Sequence, residues 1–193
     1  MKVGIIGKGN VGSALAEGLS RKGHEIKFGR SDPKESVREA AKWAEVIILA
    51  VPYRAAADVT KAVGSAADGK TLIDVSNALT ENMEWAVGFT TSAAEEIQKM
   101  LPRAYVVKAF NTIFAQNQST GKIGGERLAL FVAGDDAKAK QTVMQLGKDI
   151  GFDPVDAGPL KSARYLEPMG MLMINLGYNL GMGPKIGIKL VRA

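Results

Sequence analysis

The sequence predicts an α/β protein, a doubly wound parallel sheet followed by a short C-terminal helical segment. Three observations carry that reading. Short apolar runs alternate with helix-patterned stretches from Val3 to Asp156. Val46–Val51 is apolar at every position, as strands covered on both faces are. The first apolar run leads at once into Gly7, Gly9 and Gly12, the G-x-G-x-x-G spacing that joins strand to helix in a Rossmann-type sheet.

In chain order, Val3, Ile5 and Ile6 make the first strand. Gly7 permits the tight turn, Gly9 lets the backbone approach a pyrophosphate, and Gly12 lets the helix over Ser13–Leu19 pack close on the strand. The start of that helix offers free N–H groups and a positive dipole end to the anion. Arg21-Lys22-Gly23 closes it with cations and a glycine, leaving His24 in the connecting turn. Glu25–Phe28 is the second strand, followed by Gly29-Arg30-Ser31-Asp32-Pro33-Lys34. Here this kind of sheet holds the adenosine ribose: an acid selects the 2′-hydroxyl of NAD, a positive group the 2′-phosphate of NADP. Arg30 and Ser31 suit a phosphate, and Asp32-Pro33 reads as the cap of the next helix, so NADP is expected over NAD.

Glu35–Ala44 is a short helix, Val46–Val51 a strand ended by Pro52, and Asp58–Val63 part of another helix. Thr71–Val75 is the fourth strand, with Asp74, Ser76 and Asn77 near the end where ligands gather in open sheets. The stretch 79–89 is irregular, with Trp85 and Phe89 expected to close over something apolar. Ser92 and Glu95 form a capping box for a helix running to Leu101. Tyr105–Ala109 is the fifth strand, Phe110–Gly125 a long polar loop, Leu128–Ala133 the sixth strand, Ala137–Ile150 a helix and Pro154–Asp156 the last strand. Ser162–Gly181 is helical, methionine-rich and apolar most of the way round. Such a helix is expected to be buried, as core or dimer contact, with one face free to wall a pocket for a flat ring.

With 193 residues, the chain divides into a nucleotide-binding domain over 1–158 and a segment over 159–193 that completes the pocket and supplies the expected homodimer contact. No cysteine and one histidine exclude a thiolate nucleophile and argue against a metal site. The net charge of +5 is scattered, so no nucleic-acid partner is expected. Met169–Gly183 is broken by Asn175 and Asn179 and too short to cross a membrane. The N-terminus is itself a strand, so a cytoplasmic protein without a signal peptide is expected.

Several phrases together resemble the F420-dependent NADP oxidoreductase family, whose archaeal members exchange hydride between NADP and the deazaflavin coenzyme F420. They are the opening GxGNxG, the Gly29-Arg30-Ser31 region, Gly134-Asp135-Asp136, and Asp156-Ala157-Gly158-Pro159-Leu160 with Ser162, Arg164 and Glu167. The ending, Gly181-Met182-Gly183 with Gly187-Ile188-Lys189, is also similar. The resemblance implies NADP contacts at Lys8, Gly9, Asn10 and Val11 in the turn, and 2′-phosphate contacts at Arg30 and Ser31, helped by Lys34. It places Ala50, Val51 and Pro52 along the cofactor, with Asn77 and Ala115 nearer the nicotinamide. Gly-Arg-Ser here stands where the family commonly reads Gly-Ser-Arg or Gly-Thr-Arg. Ala109-Phe110-Asn111-Thr112 departs from the archaeal pattern toward relatives that reduce other acceptors, including the cytoplasmic domains of ferric reductases.

Hydride transfer between two ring cofactors asks for stacking and exclusion of water, not for an acid–base pair, and none is evident; no catalytic side chain is named. Asn111, Thr112 and Arg164 are the candidate contacts to the second substrate. Arg164 and Glu167, at i and i+3, alternatively form a helix-surface ion pair. Lys108 and Asp156 are the candidates for the general base that an alcohol or amino-acid dehydrogenase would want, but both read as structural, the first buried or aimed at a phosphate, the second paired locally or capping the final helix. An F420-dependent NADP oxidoreductase is the first expectation. NADPH reduction of a flavin, quinone or ferric chelate is the second, and a non-enzymatic NADP(H) sensor the third.

Overall fold

The computed structural model describes residues 1–30, 35–80, 82, 84, 86–87 and 89–191. Ser31, Asp32, Pro33, Lys34 and Trp85, named above, lie outside them. The elements are β1 (Lys2–Ile6), α1 (Asn10–Ser20), β2 (Glu25–Gly29), α2 (Val37–Trp43), β3 (Val46–Leu49), α3 (Tyr53–Val63), β4 (Thr71–Asp74), α4 (Ala93–Met100) and β5 (Tyr105–Lys108). They are followed by α5 (Ala115–Gln118), β6 (Lys122–Ile123), β7 (Glu126–Arg127), β8 (Ala129–Gly134), α6 (Ala137–Ile150), β9 (Asp153–Asp156) and α7 (Ala163–Ile174). A five-residue π-helical turn, Asn175–Asn179, prolongs α7.

Seven strands form one sheet in the order β2-β1-β3-β4-β5-β8-β9. From β2 to β5 every pairing is parallel, so the C-terminal ends of five strands share one edge. Apolar runs continuous in sequence make strands buried on both faces, and each face has its own core. Leu15 and Leu19 of α1 and Val143, Leu146 and Ile150 of α6 cover one face. Ala40 and Ala41 of α2, Ala56 and Val63 of α3, and Ala94 and Ile97 of α4 cover the other. The sheet is therefore doubly wound, as the strand–helix alternation predicts.

Four details are corrected within that fold. β8 runs antiparallel to β5, so the sheet is mixed rather than wholly parallel. The stretch 110–125 is not one loop: it holds α5 and half of a small hairpin, β6 paired with β7 across Gly124-Gly125. Nor is the methionine-rich helix buried all round. Ala163, Leu166, Gly170 and Met173 face inward, but Leu172 is 55% and Tyr178 59% exposed, because α7 packs on the domain along one side only. Phe89, expected to close over apolar groups, is exposed.

Candidate functional site

The turn from β1 to α1 is shaped by its glycines. Gly7 has φ +104°, and a Cβ there would lie 2.3 Å from the Ala50 carbonyl oxygen, so no other residue fits between β1 and β3. Gly7 N–H donates to the Gly29 carbonyl at 2.9 Å, tying the turn to the end of β2. Gly9 has open space where a Cβ would stand and is the N-cap of α1. No side chain caps that helix and its first turn holds no acid, which leaves its N–H groups and positive dipole end for an external anion. Lys8 sits 4.9 Å from the centroid of the Phe28 ring, bringing a cation to the end of β2. Arg30 lies just beyond, ion-paired with Glu35.

Beside this turn, at the shared strand ends, lies a cavity of about 280 Å³. Asn10 and Val11 bring α1 to it, Val75 and Asn77 the end of β4, and residues 110–115 the segment after β5. Gly170, Met173, Ile174 and Tyr178 close it from α7 and the π turn. Asn77 and Asn111 are locked face to face. Asn77 Nδ2 donates to the Asn111 carbonyl at 3.1 Å, and Asn111 Nδ2 to Asn77 Oδ1 at 2.9 Å. Asn111 Nδ2 also donates to the Leu166 carbonyl of α7 at 2.7 Å. Phe110 adopts φ 67° without being glycine, a strained conformation of the kind that collects at functional sites. It is held by edge contact with Phe152 and by Gln118 Nε2, which donates to the Phe110 and Ile113 carbonyls. Phe114 meets Tyr178 edge-on at 5.3 Å, forming an aromatic corner of the cavity.

Below the cavity is a buried charge cluster. Lys108, wholly buried, reaches Asp74 at 2.7 Å, Glu167 at 2.9 Å and the Ser76 carbonyl at 2.5 Å. Burial alone would depress the Lys108 pKa; the charges of Asp74 and Glu167 outweigh it and hold the ammonium above its ordinary value. Glu167 also accepts from the Ala93 N–H at 3.0 Å and the Ala94 N–H at 3.4 Å, at the start of α4.

The structure gathers most of the residues singled out from sequence. Gly7, Lys8, Gly9, Asn10, Val11 and Gly12 form the turn and helix start, and Ala50, Val51 and Pro52 follow β3 at the same edge. Asn77, Asn111, Thr112 and Ala115 line the cavity. Arg164 does not: its guanidinium makes two bonds to Glu95, at 2.8 and 2.7 Å. The expected Arg164–Glu167 pair is therefore absent, because Glu167 turns inward to Lys108 while Arg164 bridges to α4. Burial raises the Glu95 carboxyl, but bonds from Arg164 and Ser92 prevail and hold it below the usual range. Lys108 is buried as expected, and Asp156 pairs locally, with Lys140 at 2.8 Å. His24 is structural, its Nε2 3.0 Å from Asp149. Sequence reasoning missed Phe114, Tyr178 and Gly170; the small residues at 170 and 177, spaced along one helix, were the available signal. Among the described residues no cluster fit to hold a metal occurs, and no helix is long and apolar enough to cross a membrane.

A glycine turn into an uncapped helix, beside a cavity at the C-terminal strand ends, defines a Rossmann-type dinucleotide-binding protein. Residues 2–42 and 32–78 match the family described as NADP oxidoreductase, coenzyme F420-dependent. The F420-dependent NADP reductase of Methanothermobacter marburgensis is 30% identical over 91% of this chain and 92% of its own. The crystal structure of an Arthrobacter sp. FB24 protein, named provisionally as an F420-dependent NADP reductase, superposes with TM-score 0.92 and 30% identity over the whole of both chains. The chain belongs to the coenzyme F420-dependent NADP oxidoreductase family. It is also 32% identical, over 90% of its length, to the metalloreductase STEAP3 of Rattus norvegicus, of which it spans 37%.

Proposed function

We propose that the chain transfers hydride between NADP(H) and a deazaflavin of the coenzyme F420 type. The single observation that supports this best is the chemistry of the cavity wall. Among the described residues it is made of amides, a hydroxyl, hydrocarbon and aromatic rings, with the Tyr178 phenol as its one ionisable group. Reduction of a carbonyl or imine asks for a positioned general acid, and the Tyr178 phenol is all that this wall offers for it. A flat ring that accepts hydride at carbon and takes the balancing proton at a ring nitrogen from solvent asks of the protein only stacking and shelter of the reacting carbons.

The residues present fit the nucleotide. The uncapped α1 start and the open space over Gly9 suit a pyrophosphate, held by backbone N–H groups of Gly9, Asn10 and Val11. Lys8 and Arg30, at the end of β2, suit the 2′-phosphate of NADP. When bound, NADPH supplies the hydride. The chain's own residues orient and enclose: Asn77 and Ala115 flank the nicotinamide end, Asn111 and Thr112 offer polar contacts to the acceptor, and Met173, Ile174, Phe114 and Tyr178 exclude water. An F420-reducing homodimer would cover the apolar side chains that α7 leaves exposed, Leu172 and Tyr165 among them.

The likeness to a metalloreductase, together with Ala109-Phe110-Asn111-Thr112, favours a second reading in which a flavin, quinone or ferric chelate takes the electrons. The test is one assay with several acceptors. Purified protein is mixed with NADPH and, in parallel, F420, FMN, a quinone and a ferric chelate. NADPH-dependent bleaching of the deazaflavin absorbance is expected. Turnover confined to another acceptor replaces the first reading with the second. NADPH binding without turnover of any acceptor makes the chain a sensor.

A further inference from the structure

Three charged residues with no contact to the cavity lie beneath three that line it. Asp74, Lys108 and Glu167 belong to β4, β5 and α7. Asn77, Asn111 and Gly170 stand three residues further along the same segments. The lower set is joined through Lys108 Nζ, 2.7 Å from Asp74 and 2.9 Å from Glu167. The upper set is joined by the reciprocal Asn77–Asn111 amide bonds, and α7 closes on them at Gly170. That approach is tight: a Cβ at position 170 would lie 2.5 Å from Asn77 Oδ1 and 3.0 Å from the Asn111 carbonyl.

We propose that Glu167 is a positioning residue for the electron acceptor. By its bond to Lys108 it fixes where α7 sits on the sheet, and so the geometry of Asn77, Asn111 and Gly170. The inference rests on the reading of the cavity as the site of hydride transfer. Among the described residues, the ion pair and hydrogen bonds of Glu167 lead away from the cavity, to Lys108 and to the N–H groups of Ala93 and Ala94. Its effect on the cavity therefore passes through the placing of α7. A buried ion pair adds little stability over apolar side chains of the same volume, whereas it accepts only one register. A glutamate turned inward on a helix otherwise lined by Leu166, Gly170 and Met173 serves register better than cohesion. Asn111 Nδ2, bonded at once to Asn77 and to the Leu166 carbonyl, transmits any shift of α7 into the cavity.

The test separates the two ends of the nucleotide site. Glu167→Gln keeps the shape and removes the charge. Its NADPH affinity, set mainly at the β1–α1 turn and the end of β2 and only at Asn77 by the upper set, is expected to fall by less than its acceptor kcat/KM. Its kcat/KM for the acceptor falls by about tenfold or more, the scale on which small misplacements of reacting groups act. The side-chain amide resonances of Asn77 and Asn111 shift without any turnover being needed. Unmoved resonances in a folded variant overturn the proposal, as does a loss of NADPH affinity in step with the acceptor. Should Glu167→Gln not fold, Gly170→Ala leaves the charges in place and disturbs only the upper set. It is expected to lower acceptor kcat/KM more than NADPH affinity; unchanged acceptor kinetics there show that the upper set does not govern the acceptor and overturn the proposal. A wild-type protein that binds no NADPH, or reduces no acceptor, refutes the functional reading and with it the acceptor role of Glu167; the resonance measurement then decides only whether Glu167 sets the geometry of the two amides.

Discussion

Arg30 leaves β2 where the sheet's ligand edge begins, with its guanidinium resting on Glu35 and Lys8 nearby over Phe28. Glu35 keeps the fork ordered and at the surface, from where a phosphate dianion can displace a carboxylate as its partner. Replacing Arg30 with Ala is expected to weaken NADPH by about 1.5–3 kcal/mol more than NADH, the range for a hydrogen bond to a charged group. Calorimetric titration of both nucleotides checks it, and equal losses would place the 2′-phosphate elsewhere. At this scale the sequence was informative where chemistry is local. Arg30 after the second strand and glycines at 7, 9 and 12 announce their use by spacing alone. Glu167 does not, because the only partner readable from spacing is Arg164, whereas its real partner, Lys108, lies on a strand far back in the chain.

The joint between α4 and α7 shows what an element needs from its neighbours. Ser92 caps α4 as its capping box predicts: its Oγ accepts from the Glu95 N–H at 3.2 Å, and the Glu95 carboxylate then receives Arg164 from α7. The Glu95 carboxyl is depressed in the folded state, so its contribution is full above the ordinary value of 4.5 and is lost as pH falls through the depressed one. Arg164→Met is accordingly expected to lower the melting temperature at neutral pH by a few degrees, with the gap to wild type narrowing as pH drops toward 3. A gap that stays constant with pH would show that packing, not charge, holds the joint. The same variant tests whether Arg164 reaches an anionic tail of the acceptor, for then acceptor KM would rise as well. Strands and long helices were legible because burial on both faces and capping leave marks in composition. The direction of β8 leaves none, since an apolar run reads alike either way. β6 and β7, of two residues each, are too short for alternation to register, although Gly124-Gly125 was a turn signal within the loop. The exposed side of α7 was hidden for the opposite reason: its apolar residues outnumber the positions that this chain alone can cover.

Taken whole, the described residues keep every lysine, carboxylate and histidine out of the cavity wall, where the Tyr178 phenol is the one ionisable group. Lys108, Asp74 and Glu167 are spent on one another, and the chain's single histidine is held by Asp149 in the turn before β2. With an acceptor that does not itself titrate, kcat is therefore expected to stay flat between about pH 6 and 9, since the cavity wall holds no carboxylate, lysine or histidine. Steady-state rates across that interval check it, and a bell-shaped profile would reveal a proton donor in the cavity. A cleft walled by amides and hydrocarbon makes no demand on how the incoming molecule settles its own protonation. Relatives sharing this wall could move from one electron sink to another by reshaping its contour, with no carboxylate, lysine or histidine to rebuild.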